Sequence, residues 1–139
     1  MIKRTITINA NLETVWNALL SYRTADPDKR KVISSEGNRT VVEEKFAGLP
    51  VVGSSRVKYE EIEAPMERVD YKLIDSDKLS KFEGAWVLRP QGEDKVEAEL
   101  TTLLDSALPL PFKENFLKTQ ANSDMDKRLN YLKNKAEGK

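Results

Sequence analysis

The sequence contains no cysteine and no histidine. Without cysteine there is no disulfide framework and no thiolate chemistry. Without histidine the chain lacks the commonest general base, the commonest metal ligand, and every Ser/His or Cys/His triad. Net charge is missing too, because 23 Lys and Arg balance 23 Asp and Glu. No overall field draws the chain to nucleic acid or to an anionic membrane, and charges this well interspersed read as solvated surface. No stretch approaches the roughly 18 apolar residues of a bilayer span. The opening Met1-Ile2-Lys3-Arg4-Thr5 alternates at once and has no signal-peptide apolar run. The expectation is a soluble, cytoplasmic protein. Its 139 residues, free of linkers, repeats and low-complexity segments, suit a single domain, 1–139.

What is present is pattern. From Phe112 to Lys135 there is neither Gly nor Pro, and Leu117, Ala121, Met125, Leu129 and Leu132 recur at helical spacing. Pro111 stands where the first turn forgoes an N–H at no loss. A helix of about 24 residues is about 36 Å long, so it needs a broad apolar surface to lie on. The preceding chain supplies one. Ile2, Ile6 and Ile8 alternate with polar residues in a first strand. Asn11 then caps a short helix whose apolar face is Leu12, Val15, Trp16, Leu19 and Leu20, ending near Tyr22, with Trp16 as a core anchor. Six further strands are expected at Arg30–Ser35, Thr40–Phe46, Ser54–Ile62, Glu67–Ile74, Leu79–Arg89 and Lys95–Leu104, separated by turn signals about every ten residues. Their alternation gives one dry and one wet face, as in an antiparallel sheet covered on one side. The order is one strand, one helix, six strands and one long helix.

A straight helix laid on a coiled sheet touches it best along part of its length, which favours a pocket. On the dry face Gly84, Ala98 and Ser55 are small residues among Tyr59, Tyr71, Phe82 and Trp86. Mixed rings, small residues and hydroxyls suit an apolar ligand site, and the final helix should meet that wall near Phe116 and Gln120. Arg4 shares the isoleucine side of the first strand; it either snorkels from the strand end or holds a head group or carboxylate. Glu44 shares a face with Val42 and Phe46, making it the inward carboxylate and the candidate acid. The pairs Glu43-Glu44 and Glu60-Glu61 are strand neighbours pointing to opposite faces, so neither is a two-carboxylate site. Gly48 and Gly53 flank the apolar Leu49, Val51 and Val52, which read as a bending loop folded over a pocket mouth. Gln120, Asp124 and Arg128 lie one turn apart beside the helical stripe and read as a solvated flank, with one polar contact to a ligand as the alternative.

Several stretches match a known pattern. The opening Ile6-Thr-Ile-Asn-Ala-Asn-Leu-Glu-Thr-Val-Trp-Asn-Ala-Leu19, the strand Glu83-Gly-Ala-Trp-Val-Leu-Arg-Pro90 with its partner Val96–Leu104, and the helix entry Ala107-Leu-Pro-Leu-Pro-Phe-Lys-Glu-Asn-Phe116 carry it. The chain resembles the START-like, or polyketide cyclase/Bet v 1-like (SRPBCC), superfamily over its whole length. The resemblance implies an α+β helix-grip fold, a seven-stranded curved antiparallel sheet wrapped around a long C-terminal helix. It also implies a cavity beneath that helix for a lipid, isoprenoid, quinone or polyketide-like molecule. Binding or transport is the reading favoured by the scarcity of inward ionisable groups. A metal-independent cyclase or dehydratase is the alternative, and a co-chaperone-like interaction module is the third. The ligand-binding residues expected on this basis are Tyr59, Tyr71, Phe82, Trp86, Phe116, Gln120, Arg4 and Glu44, with no catalytic residue, no metal and no cofactor assigned. The expected partner is a hydrophobic small molecule, without nucleic acid or an integral membrane segment and with transient membrane contact left open.

Overall fold

A computed structural model describes residues 1–49, 53–106 and 113–139. The strands are β1 (Ile2–Ile8), β2 (Arg30–Glu36), β3 (Arg39–Leu49), β4 (Gly53–Ala64), β5 (Arg68–Ser76), β6 (Leu79–Gly92) and β7 (Lys95–Ser106). The helices are α1 (Leu12–Ser21), continued by a short 3-10 turn at Tyr22–Thr24, and α2 (Lys113–Ala136). All seven strands form one antiparallel sheet in the order β1-β7-β6-β5-β4-β3-β2. From β2 to β7 each strand pairs with its successor, as closely spaced turn signals demand. β1 closes the series against β7, with Ile6 opposite Ala98 and Ile8 opposite Val96. α2 lies across the inner face against β7 and β1 and packs on α1. This is the helix-grip architecture.

Local chemistry accounts for the elements. The Asn11 side chain accepts the Thr14 N–H at 2.8 Å, and Glu13 sits in the first turn of α1, so capping and dipole agree. Val15, Trp16, Ala18 and Leu19 form the buried side of α1. On α2 the buried residues Ala121, Met125, Leu129 and Leu132 reproduce the helical spacing of the sequence. Met125, Leu129 and Leu132 join Leu88, Val96, Ala98 and Leu100 of the sheet in one core. The end of α2 is tied to the end of β1. Glu137 accepts the Asn9 N–H at 2.9 Å, and Lys133 bonds both Glu137 and the Thr7 carbonyl. These donors, the Asn9 N–H first, hold the Glu137 carboxyl at a pKa of about 2.

Two features differ from the sequence expectation. β3 runs on to Leu49 and β4 begins at Gly53, so Ala47 and Gly48 belong to a strand rather than to a loop. Cross-strand pairing of Leu49 with Gly53 continues the ladder past an irregularity after Phe46. The apolar cover assigned to Leu49, Val51 and Val52 concerns side chains outside the described residues, as does the Ala107–Phe112 entry to α2. The second difference is at Gly84, which has no room for a side chain although it lines, with Tyr71, a recess of about 490 Å³ over the sheet. Its cross-strand partner Tyr71 lies over it and reaches β7, where the hydroxyl donates to the Thr101 carbonyl at 2.7 Å and meets Thr102 Oγ1. A Cβ on Gly84 would run into the Thr101 carbonyl and stand 2.7 Å from the Tyr71 oxygen. An aromatic ring packed over a strand glycine covers backbone that would otherwise be bare.

Gly84→Ala is therefore expected to cost more than about 2 kcal/mol, because overpacking and loss of the tyrosine bonds act together. Urea denaturation would show the midpoint falling at unchanged slope. A variant as stable as the parent would mean that the Tyr71 ring does not occupy that place.

Candidate functional site

The inner face of β3 carries Thr40, Val42, Glu44 and Phe46, all buried. Strand alternation thus carries Glu44 into the interior, where an unpaired carboxylate would be costly. Three groups meet it. Arg128 of α2 places Nη2 at 2.9 and 3.0 Å from its two oxygens, and the Tyr59 hydroxyl donates at 2.9 Å. Arg30, its register partner on β2, adds a longer contact of 3.4 Å, and the Phe82 ring lies under Arg128 at 5.6 Å. Arg128 also donates Nε to Asp124 one turn earlier, at 2.7 Å. Arg30 in turn donates Nε to the Tyr22 carbonyl at 3.0 Å and rests on the Tyr22 ring, 3.8 Å from its centroid.

The electrostatics follow from this enclosure. Burial alone would pull the Arg128 guanidinium down, but Asp124 and Glu44 outweigh it and hold the group well above its ordinary value. Burial, reinforced by Glu44, pushes the Tyr59 phenol well up, so it stays a donor. Burial also raises the Asp124 carboxyl, opposed by Arg128 and reinforced by Glu44. Such a network stabilises a fold weakly at best, because desolvating the charges offsets their attraction.

Its outer side is open. A pocket of about 320 Å³ lies between α2, the 3-10 turn, β2 and β3, with Tyr22, Arg30, Glu44, Phe46, Gln120 and Asp124 in its wall. A wider recess of about 730 Å³ lies beside the first half of α2, where Ile2, Thr102, Leu104, Leu117 and Ala121 face the free end of β7.

Of the residues expected from sequence, Glu44 and Gln120 come together in the wall of the smaller pocket. Tyr59 lies one layer behind, bonded to Glu44. Phe82 touches Phe46, Tyr59 and Tyr71 at ring distances of 5.0 to 5.2 Å and is fully buried. Trp86 stands between Val69 and Leu100 in the closed core. None of Tyr59, Phe82 and Trp86 forms part of the wall of either recess. Tyr71 is engaged over Gly84, Arg4 is half-exposed and paired with Asp126 on the far flank of α2, and the Phe116 side chain is outside the described residues. Arg128, Asp124, Arg30 and Tyr22 complete the site. The solvated-flank reading of Arg128 is corrected by its 6% exposure. One signal was available. Ala121, Met125, Arg128 and Leu132 are spaced four, three and four, so Arg128 falls within the buried stripe itself.

A two-layer helix-grip domain with an inward-facing polar cluster beside its long helix is the class these features define. Residues 1–137 match the model of the family described as polyketide cyclase/dehydrase and lipid transport, and the chain belongs to that family. No curated protein matches it in sequence. Among solved structures it is similar to a START superfamily protein from Mycobacterium smegmatis, at 14% identity and a TM-score of 0.78, covering 99% of this chain and 97% of that one. The Zhui aromatase/cyclase from Streptomyces sp. R1128 follows at 13% identity and 0.75, covering 99% and 90%. The norcoclaurine synthase from Thalictrum flavum aligns at 15% and 0.65, covering 99% and 83%. At such identities the likeness is one of fold.

Removing either half of the buried bridge strands a charge. Arg128→Met and Glu44→Leu should each cost about 3 kcal/mol or more, and the double variant less than their sum. Additive losses in a denaturation cycle would mean that the two side chains do not meet. The raised Asp124 carboxyl has a stated sign as well. The native state holds this proton more tightly than the unfolded chain, so its contribution is full below about pH 4 and is lost as pH rises through the native value. Relative to the parent, Asp124→Asn should gain stability as pH rises above about 4; a constant difference would contradict the burial of this carboxyl.

Proposed function

We propose that the protein binds an amphipathic small molecule, its polar end at the Glu44–Arg128 cluster and its apolar body beside α2. One observation carries this reading: a hydrogen-bonded ionic network, backed by rings on one side, is open on the other to a pocket of about 320 Å³. That size is at the lower end for ligand sites, which are mostly apolar with a few fixed polar groups. Phe46, Tyr22 and Tyr131 supply the apolar wall, and Arg30, Asp124 and Gln120 supply the polar groups. Family membership supports the same reading, since lipid transport and polyketide chemistry both handle apolar molecules. The network itself suits orientation of a ligand better than stability.

Asp124 favours a second reading, acid–base catalysis on a polyketide-like substrate. Its carboxyl is raised by burial, lines the pocket, and is aimed by the Arg128 bond. A protonated Asp124 would donate to a carbonyl oxygen of a bound molecule, leaving a carboxylate stabilised by Arg128.

Titration with the neutral apolar fluorophore N-phenyl-1-naphthylamine tests the binding reading. Saturable binding is expected, and Gln120→Trp, which fills the pocket from a half-buried position, should weaken it about tenfold with little change in melting temperature. Equal affinity in the two proteins would place the ligand elsewhere.

A further inference from the structure

The polar end of the pocket has a sign. Arg30 is 93% buried by side chain, and three contacts hold its guanidinium: the Tyr22 carbonyl, the Tyr22 ring and Glu44. Those bonds use Nε and Nη1. Among the described residues Nη2 has no hydrogen-bond partner, although Arg30 stands in the pocket wall. A buried, rigidly held cation with a free N–H is a pre-built anion donor. The rim repeats the sign. Lys29 and Lys45 are held side by side, because the Lys45 N–H bonds the Lys29 carbonyl at 2.8 Å, and Lys127 of α2 also lines the mouth. None of these three lysines is ion-paired among the described residues. The acids of the wall do not cancel them: Glu44 and Asp124 are engaged by Arg128, leaving Asp26 as the remaining carboxylate. Four bases and three acids line this one small opening, and Arg128 behind the wall engages two of the acids, in a chain whose overall charge is zero.

We infer that the molecule bound here is an organic anion, whose carboxylate or equivalent acidic group sits against Arg30 Nη2 within the Lys29, Lys45 and Lys127 rim. This rests on the binding reading above and adds the charge of the head group. A neutral lipid or quinone would fill the apolar wall but bring no negative charge to Arg30 Nη2, whereas a compact aromatic or short-chain acid satisfies both. The rim would attract such an anion from solution and the buried guanidinium would orient it.

The experiment compares two probes that differ by one acidic group: N-phenyl-1-naphthylamine and its 8-sulfonate, 1-anilinonaphthalene-8-sulfonate. At low salt the sulfonate should bind at least tenfold more tightly, and the ratio should shrink as sodium chloride is raised. Arg30→Gln and the exposed pair Lys45→Glu with Lys127→Glu should each bring the ratio toward one. Lys72→Glu, on the opposite face of the sheet, should leave it alone. The lysine variants keep the test valid should Arg30→Gln fail to fold. Equal binding of the two probes, or a ratio insensitive to the rim variants, overturns the anion assignment while leaving the binding reading intact. Binding of neither probe overturns both.

Discussion

The bridge between Arg128 and Glu44 is the constraint on which the rest of the structure depends. It joins residues 84 apart in sequence and fastens the middle of α2 to β3, on the side of the sheet away from β7 and β1. A guanidinium in the buried stripe of a helix is tolerable only opposite a carboxylate whose other oxygen positions are also occupied. Here Tyr59 and Arg30 occupy them, and Asp124 takes the second face of Arg128. The helix therefore has a preferred rotation as well as a preferred place. Turning it by one residue, about 100°, would carry Arg128 into apolar surroundings and leave Glu44 buried without its bridge.

Rings and small residues decide where space remains. Phe82 is enclosed by Phe46, Tyr59 and Tyr71, edge-on or tilted, at distances that suit aromatic packing. Tyr71 fills the position that Gly84 leaves bare and bonds the backbone of β7. Ser55 does not leave a void either, since its hydroxyl bonds Asp77 at 2.8 Å. The space beneath these rings is thus occupied, and the two openings beside α2 differ in character, one polar and cationic, the other mainly apolar. A ligand entering the polar side meets fixed charges first and aromatic walls beside them. That order favours molecules with a defined head and body over uniformly apolar ones.

The candidate site was legible in part. Glu44 could be placed on the inner face because strand alternation is strict, and Gln120 because it flanks the helical stripe. Arg128 was harder. Long charged side chains beside an apolar stripe usually reach water, and nothing local distinguishes one that turns inward toward a carboxylate on a strand far away in sequence. Arg30 opens a strand next to a turn, where an exposed arginine is the ordinary expectation, and only its cross-strand pairing with Glu44 brings it inside. Arg4 had two readings, snorkelling from the strand end or holding a head group or carboxylate; it leaves the strand half-exposed and pairs with Asp126 of α2.

By itself the sequence determined the elements and their succession, because spacing of apolar residues, caps and turn residues are local quantities. A run of residues without Gly or Pro at helical spacing becomes α2, Asn11 starts α1, and turns about every ten residues make neighbours of consecutive strands. Family and helix-grip fold follow from that order. The tertiary structure decided which charges are buried together, which glycine is covered, and on which side of the helix room is left. Those outcomes depend on side chains brought together from β2, β3, β4 and α2, and on the desolvation each suffers there. No local pattern carries that information, since the energy of a buried charge is set by its partners and not by its neighbours in the chain.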